Sequence, residues 1–324
     1  MSDARFDSPY HAPVMVDEVC TALLGPDRAG AGKRMLDGTL GGGGHTAALL
    51  DAGADVTGLD QDPQAIATAT ERLATAAAGG RFRALEVNFA DAADDPRLAG
   101  ATFDGILLDL GVSSHQFDDE ARGFSFREGA PLDMRMGATV MSAADWLNES
   151  EEAELADAFR RYADEPKAGR MAREVIRRRQ TRTFAVSDDL VGAIRGVLGP
   201  RSGPPDFARI FQAVRIAVND EIGVLGRALP ALRDRLAPSG VLAVITYHSG
   251  EDRLVKHAFR EWSVSCTCPP KQPICTCGGD RALGEVVTRK AVTAAADEIL
   301  RNGRARSAKL RAWRRRAGVG RPGA

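Results

Sequence analysis

No run of apolar residues in this 324-residue chain approaches the ~20 that a membrane-crossing helix requires. The opening stretch, MSDARFDSPYH, is polar and mixed in charge, without the apolar segment of a secretory signal. Membrane insertion is not expected, and a cytoplasmic location is. Cysteine is scarce: Cys20 stands alone and Cys266, Cys268, Cys275 and Cys277 lie close together, which is no disulfide framework for a chain this long. Charge of one sign is lacking too, because the net charge is −1, so attraction to a polyanion must be local. There is no internal repeat and no low-complexity tract beyond alanine enrichment. The absence of H-x-E with P-C-x-x-C disfavours a zinc deaminase.

What is present belongs to a globular protein, with 44% hydrophobic and 27% charged residues. The length suits one larger domain carrying an insertion, or two modest domains. Charge is segregated along the chain. From Arg301 to the end there are nine arginines or lysines and no acid, KAGRMAREVIRRRQTR from Lys167 carries seven against Glu174, and NESEEAELAD from Asn148 is acidic.

GKRMLDG reads as a short buried strand ending at Asp37, followed by a glycine loop and the helix HTAALLDAG. ADVTGLD is a second strand ending at Asp60. Asp62 and Pro63 mark a helix start, a cap followed by proline at the first helical position. RFRALEVNFAD and FDGILLDLG are a third and a fourth strand. Strands alternating with helices at this spacing predict a doubly wound parallel α/β sheet. From residue 113 to 206 the rhythm becomes helical, with stretches near 142–160, 165–180 and 187–198. The βα pattern resumes with one long helix, ARIFQAVRIAVNDEIGVLGRALPALRDRL, and the strand GVLAVITYH. The expected organisation is an α/β domain from 1–112 and 207–324, interrupted by a helical insertion, 113–206, that recognises substrate.

In open parallel sheets ligands bind beyond the carboxyl ends of the strands, where strand order reverses. LDGTLGGGGH and LLDLGVSS both place an aspartate before a flexible loop there. Gly42, Gly44 and Ala47 formally satisfy a dinucleotide fingerprint with Asp60 at the ribose position, but four consecutive glycines satisfy many spacings by chance. Asp37 argues against a phosphate, because its charge would repel one at close range. A ligand with a ribose and a cationic amino-acid portion suits the crevice better, and S-adenosylmethionine has both. The alternative is that Asp37 and Asp60 only end strands or cap helices.

At this point the chain resembles the RsmH (MraW) family of bacterial methyltransferases, through HAPVMVDEV, DGTLGGGGH, LDQDPQAI, FDGILLDLGVSSHQFDDEARGFSF, PLDMRM, FQAVRIAVNDE, HSGEDRLVK and NGRARSAKLR, in order from His11 to Arg311. The resemblance implies a class I S-adenosylmethionine-dependent methyltransferase fold, Rossmann-like, with an inserted helical domain. It implies methylation of N4 of a cytidine in the decoding centre of 16S rRNA, with the rRNA or the small subunit as partner and no DNA. It also implies cofactor contacts at Gly43, Gly44, His45, Asp60, Phe89, Asp109 and Gln116. For Phe89, covering the adenine competes with ordinary core packing.

The cytosine amine is a poor nucleophile, so the protein must position it and accept its proton. Asp109 is the candidate catalytic residue. Many amino-methyltransferases carry a D/N-P-P-aromatic tetrad here, whereas this chain has DLGV, so any stacking aromatic comes from elsewhere. Phe124 and Phe126 in RGFSF and Tyr247 and His248 in TYHSGEDR are the candidates for substrate binding. Against them, RGFSF also reads as a buried loop anchor, and Ser249 with Asp252 as a capping box that only starts a helix. The basic runs fit RNA phosphates, with Trp313 as a stacking residue of the tail. The C-x-C-x6-C-x-C cluster reads equally as a structural tetrathiolate zinc site or as a loop with free thiols, and the resemblance implies no metal. A non-catalytic RNA-binding assembly factor is the alternative function.

Overall fold

Five apolar runs, each closed by a polar residue, form the parallel strands β1 (Arg34–Asp37), β2 (Asp55–Asp60), β3 (Phe82–Glu86), β4 (Phe103–Asp109) and β5 (Leu236–Thr246). The computed structural model describes residues 6, 12–111, 122–137, 141–266, 268–269 and 272–318. The chain divides into two compact units, one within 1–111 and 224–324 and the other within 112–223.

In the first unit β6 (Gly284–Val286), β7 (Val292–Thr293) and β8 (Lys309–Arg315) complete an eight-stranded sheet of order β3-β2-β1-β4-β5-β8-β6, with β7 also on β8. β8 runs antiparallel to β5, and β6 and β7 run antiparallel to β8. The doubly wound parallel sheet read from the sequence is therefore present, extended by an antiparallel edge. Strand order reverses at β1, which pairs with both β2 and β4. Leu107 faces one buried cluster with Met35 and Ile245, while Ile106 and Leu108 face another with Leu36 and Val244, so both faces of the sheet are covered. The covering helices are α1 (Val16–Leu24), α2 (Gly44–Asp51), α3 (Pro63–Arg72) and α4 (Ala74–Ala78) from the first half of the unit. The expected cap is in place: Asp62 accepts from Gln64 N at 3.0 Å ahead of Pro63.

The second unit has its own core and, among the described residues, the helices α5 (Ala143–Glu149), α6 (Glu152–Ala163), α7 (Ala168–Arg179), α8 (Ser187–Leu198) and α9 (Pro204–Val218). Two expectations are corrected here. The sequence pattern puts the return to the α/β domain at 207, yet α9 buries Phe207, Ile210, Phe211 and Val214 in the helical core, and the division falls after Gly223. The long helix read across this region is two. Asp220 adopts a left-handed φ of 47°, the side-chain amide of Asn219 donates to the carbonyls of Arg215 and Met134, and a new helix, α10 (Glu221–Asp234), begins. Local polar groups satisfy the backbone at the break, which apolar periodicity cannot register.

After β5 the first unit adds α11 (Ser249–Trp262) and α12 (Ala296–Arg301). The basic tail becomes β8, in which Leu310 and Ala312 join one buried cluster and Trp313 the other; Trp313 is fully buried with its ring 5.3 Å from that of Trp262 and Nε1 donating to Ser263 Oγ at 3.0 Å. Its expected role as a stacking residue of a free tail is corrected: it is a core residue. Arg311 pairs with Asp252 at 2.7 Å, and Arg315 donates to the carbonyls of Asp234 and Leu236, so much of the tail's charge is held internally. No helix among the described residues is long and apolar enough to cross a membrane.

Candidate active site

The carboxyl ends of β1, β2 and β4 deliver Asp37, Asp60 and Asp109 to the loop Gly38–Gly43. Gly43 precedes α2 with φ of 74°, a left-handed backbone that glycine adopts without steric cost. A Cβ on Gly38 would fall 2.6 Å from Leu108 Cδ2 and 3.2 Å from Phe89 Cβ, so at that point the loop runs too close to β4 to carry a side chain.

The loop is tied to all three strands. Gly41 N donates to Asp60 Oδ2 at 2.9 Å, while Asp62 N donates to Oδ1 at the same distance. Asp109 N donates to Thr39 Oγ1 at 2.6 Å. Asp37, buried beneath the loop, accepts from the Thr46 hydroxyl at 2.7 Å and from Thr39 N at 3.2 Å. Sequence reasoning missed Thr39, Gly41 and Thr46, although a threonine at the loop's start and one in the first turn of α2 are the signal that could have found them.

His45, one residue into α2, is buried with Nε2 2.8 Å from the Val14 carbonyl. A carbonyl can only accept, so Nε2 carries the proton. Nδ1 then lies 3.7 Å from Asp109 Oδ2. On the other side of Asp109, the Tyr247 hydroxyl donates to Oδ1 at 2.8 Å. Burial pushes the Asp109 carboxyl up to about 6, eased by His45 and by the Tyr247 hydrogen bond. Burial likewise lifts Asp60 to about 6, eased by its two backbone donors, and raises Asp37, eased by His45 and Thr46. The crevice thus concentrates three carboxyl groups, with His45 beside Asp37 and Asp109 and Arg72 on the loop's Gly42 carbonyl, and this grouping of acids suits a cationic ligand.

Phe89 begins a short 3-10 turn after β3, capped by Asn88, and packs partly buried against the core beside Gly38. Asn88 Nδ2 donates to Gln61 Oε1 at 2.9 Å, linking this turn to the end of β2. Of the four loop glycines, Gly42, Gly43 and Gly44 are buried, and the Cβ positions of Gly43 and Gly44 fall 3.1 Å from Leu73 and 2.9 Å from Pro13, so close packing leaves little room for a side chain there. Gly41 is the more open, its Cβ position meeting nothing nearer than its own loop at 4.0 Å. Gln116 lies outside the described residues.

Among the substrate candidates, Tyr247 joins Asp109, whereas His248 is the N-cap of α11. Its Nδ1 accepts from Glu251 N at 3.4 Å, and Glu251 answers through the amides of Tyr247 and His248. The capping box is therefore His248 with Glu251, one position before the Ser249 and Asp252 pair read from the sequence, and Asp252 is committed to Arg311. Phe124 is buried in the helical unit, and Phe126 meets Phe207 and Phe211 edge to face at 5.9 and 6.0 Å. Phe124 lies in that core and Phe126 packs partly buried against it, so the packing supports RGFSF as a loop anchor. In the same unit, Arg170, Arg173 and Arg177 of α7 line a groove of about 280 Å³ with Glu174, Gly196 and Val197. Glu174 is taken by Arg177 and Arg178, and Arg170 and Arg173 form no ion pair among the described residues.

Known proteins match this chain along almost its whole length. A relative from Gemmatimonas aurantiaca, named ribosomal RNA small subunit methyltransferase H, is 61% identical over 306 residues, covering 94% of this chain and 95% of its own. Relatives of the same name from Anaeromyxobacter sp. (strain K) and Symbiobacterium thermophilum are 48% and 45% identical, each covering 96% of its own length. The family model described as the MraW methylase family matches residues 8–316, taking in the glycine loop, the helical insertion and β8, and the chain belongs to that family.

Proposed function

We infer that this protein methylates the small-subunit ribosomal RNA, taking the methyl group from S-adenosylmethionine and delivering it to the exocyclic N4 of a cytidine in the decoding centre of 16S rRNA. The observation that carries the reading is the set of strand-end acids, Asp37, Asp60 and Asp109, gathered around one glycine loop. The donor set fits the cofactor's chemistry. Asp60 would take the ribose hydroxyls, Asp37 would favour the ammonium of the methionine portion, and the loop at Gly43, Gly44 and His45 would admit its backbone, with Phe89 beside the base. Family membership and the relatives' shared name support the same assignment.

When bound, the cofactor supplies a methyl group on a sulfonium, a good leaving group. The chain must hold the cytosine amine in line with it and accept a proton from N4 as the new bond forms. Asp109 is suited to this, because its carboxyl titrates at about 6 and is mostly ionised at neutral pH, yet keeps some basicity. Tyr247 orients it from one oxygen, and Thr39 fixes its backbone. Arg170 and Arg173, which form no ion pair among the described residues, border the exposed groove of the helical unit and are available to RNA phosphates.

Mass-spectrometric mapping of 16S rRNA from cells with and without the gene tests the reading. The N4-methylated cytidine is expected only where the gene is present and should reappear when purified protein and S-adenosylmethionine are added to small subunits or their RNA. Full methylation in cells lacking the gene would remove the enzymatic reading and favour a non-catalytic assembly factor.

A further inference from the structure

The segment between α11 and β6 is a loop with almost nothing apolar to hold it. Val264 is 40% exposed and Ile274 is 74% exposed, and no residue from 263 to 283 that the structure describes is buried. A stretch of this length without a core cannot offset its ordering entropy by burial. Its base is tied, because Leu283 N donates to the Trp262 carbonyl at 2.8 Å and Arg281 N to that of Ser265 at 3.0 Å. Beyond the base, the feature that gathers the loop is the convergence of Cys266, Cys268, Cys275 and Cys277.

We propose that these four cysteines form a structural zinc site that staples the loop. Ligand atoms from all four lie within 4.8 Å of one another. Cys275 Sγ is 3.7 Å from that of Cys266, 3.9 Å from Cys268 and 3.5 Å from Cys277, and Cys266 and Cys277 are 3.6 Å apart. Four thiolates around one zinc at about 2.3 Å stand about 3.8 Å apart along the edges of a tetrahedron, so these separations are those of a coordination shell. The surroundings are those of thiolate ligands as well. Thr276 N donates to Cys268 Sγ at 3.3 Å, an outer hydrogen bond of the kind that orients and stabilises a metal-bound sulfur. Gly278 and Gly279 follow the last ligand in left-handed conformations, turning the chain back toward β6. Four protein ligands leave no open position, which assigns the metal to structure and not to the methyl transfer. Binding converts four thiols to thiolates and releases their protons to solvent.

The test uses the full chain, purified without chelator from zinc-supplemented cells. Elemental analysis should find about one zinc per chain, and exchange with cobalt should produce the absorption of a tetrahedral thiolate complex. The Cys266→Ser/Cys275→Ser variant should lose the metal while Cys20→Ala keeps it. In the unaltered protein, removing zinc with a chelator should raise hydrogen exchange across 264–282 and leave the strands of the sheet protected, a readout that does not depend on a variant folding. Zinc below about a tenth of an equivalent, retention of the metal by the double serine variant, or disulfides among these cysteines in the non-reduced protein would each overturn the proposal.

Discussion

At the scale of single residues, the site's chemistry turns on burying acids beside one another. Asp60 and Asp109, lifted by burial to about 6 from 3.8, bind protons more tightly in the folded chain than in the unfolded one. Their contribution to the stability of the unliganded protein is therefore present below pH 4 and is lost as pH rises through 6. A cationic ligand prefers them ionised. The increase in melting temperature produced by a fixed excess of S-adenosylmethionine should accordingly grow between pH 5 and pH 7.5, and a shift independent of pH would contradict the placement of the cofactor at these acids. Replacing Asp109 by Asn should lower kcat by roughly 10²- to 10⁴-fold if it accepts the N4 proton, measured by single-turnover methyl transfer. Tyr247 acts on that group through its hydroxyl. A hydrogen bond to a charged group contributes about 1.5–3 kcal/mol, so Tyr247→Phe should move the acidic limb of the rate profile upward by about one pH unit or more, whereas a merely structural tyrosine would leave the limb in place.

At the scale of elements, the C-terminal strand departs furthest from its sequence appearance. β8 reads as a charge run because arginines fall between its apolar residues, yet Leu310, Ala312 and Trp313 are buried and the strand pairs with β5, β6 and β7. Leu310 and Ala312 join one buried cluster and Trp313 the other, so the strand is covered on both faces and KLRAWRR carries no one-sided alternation to read among its basic residues. Truncating Trp313 to Ala leaves a large cavity against Trp262 and should cost about 3–5 kcal/mol, visible as an earlier denaturation midpoint by circular dichroism. A residue that only stacked on RNA would lower RNA affinity and leave the midpoint unchanged.

At the scale of the whole molecule, a net charge of −1 conceals a division of labour among the basic residues. Those of β8 are largely committed to Asp252, Glu285 and backbone carbonyls, while Arg170 and Arg173 border an exposed groove and form no ion pair among the described residues. If the groove meets RNA phosphates, Arg170→Glu/Arg173→Glu should weaken binding to small-subunit RNA. The dependence of log affinity on log salt should flatten by about one for each phosphate no longer neutralised. Cofactor affinity, measured by calorimetry on the same variant, should not change.

The sequence by itself determined the parallel strands, their terminal acids and the cap at Asp62, because burial period, turn chemistry and capping are local and short in range. It also marked the glycine loop as a place for a ligand without phosphate, through the single charge of Asp37. Tertiary structure alone decided that Tyr247 meets Asp109, 138 positions away, that His45 is held by the Val14 carbonyl, and that the sulfurs of the C-x-C-x6-C-x-C cluster sit at coordination distances. It decided as well that Phe124 and Trp313 are buried in cores and that Phe126 packs partly buried against Phe207 and Phe211. An aromatic side chain carries the same apolar area whether it packs or stacks, and only its surroundings in the folded chain distinguish the two.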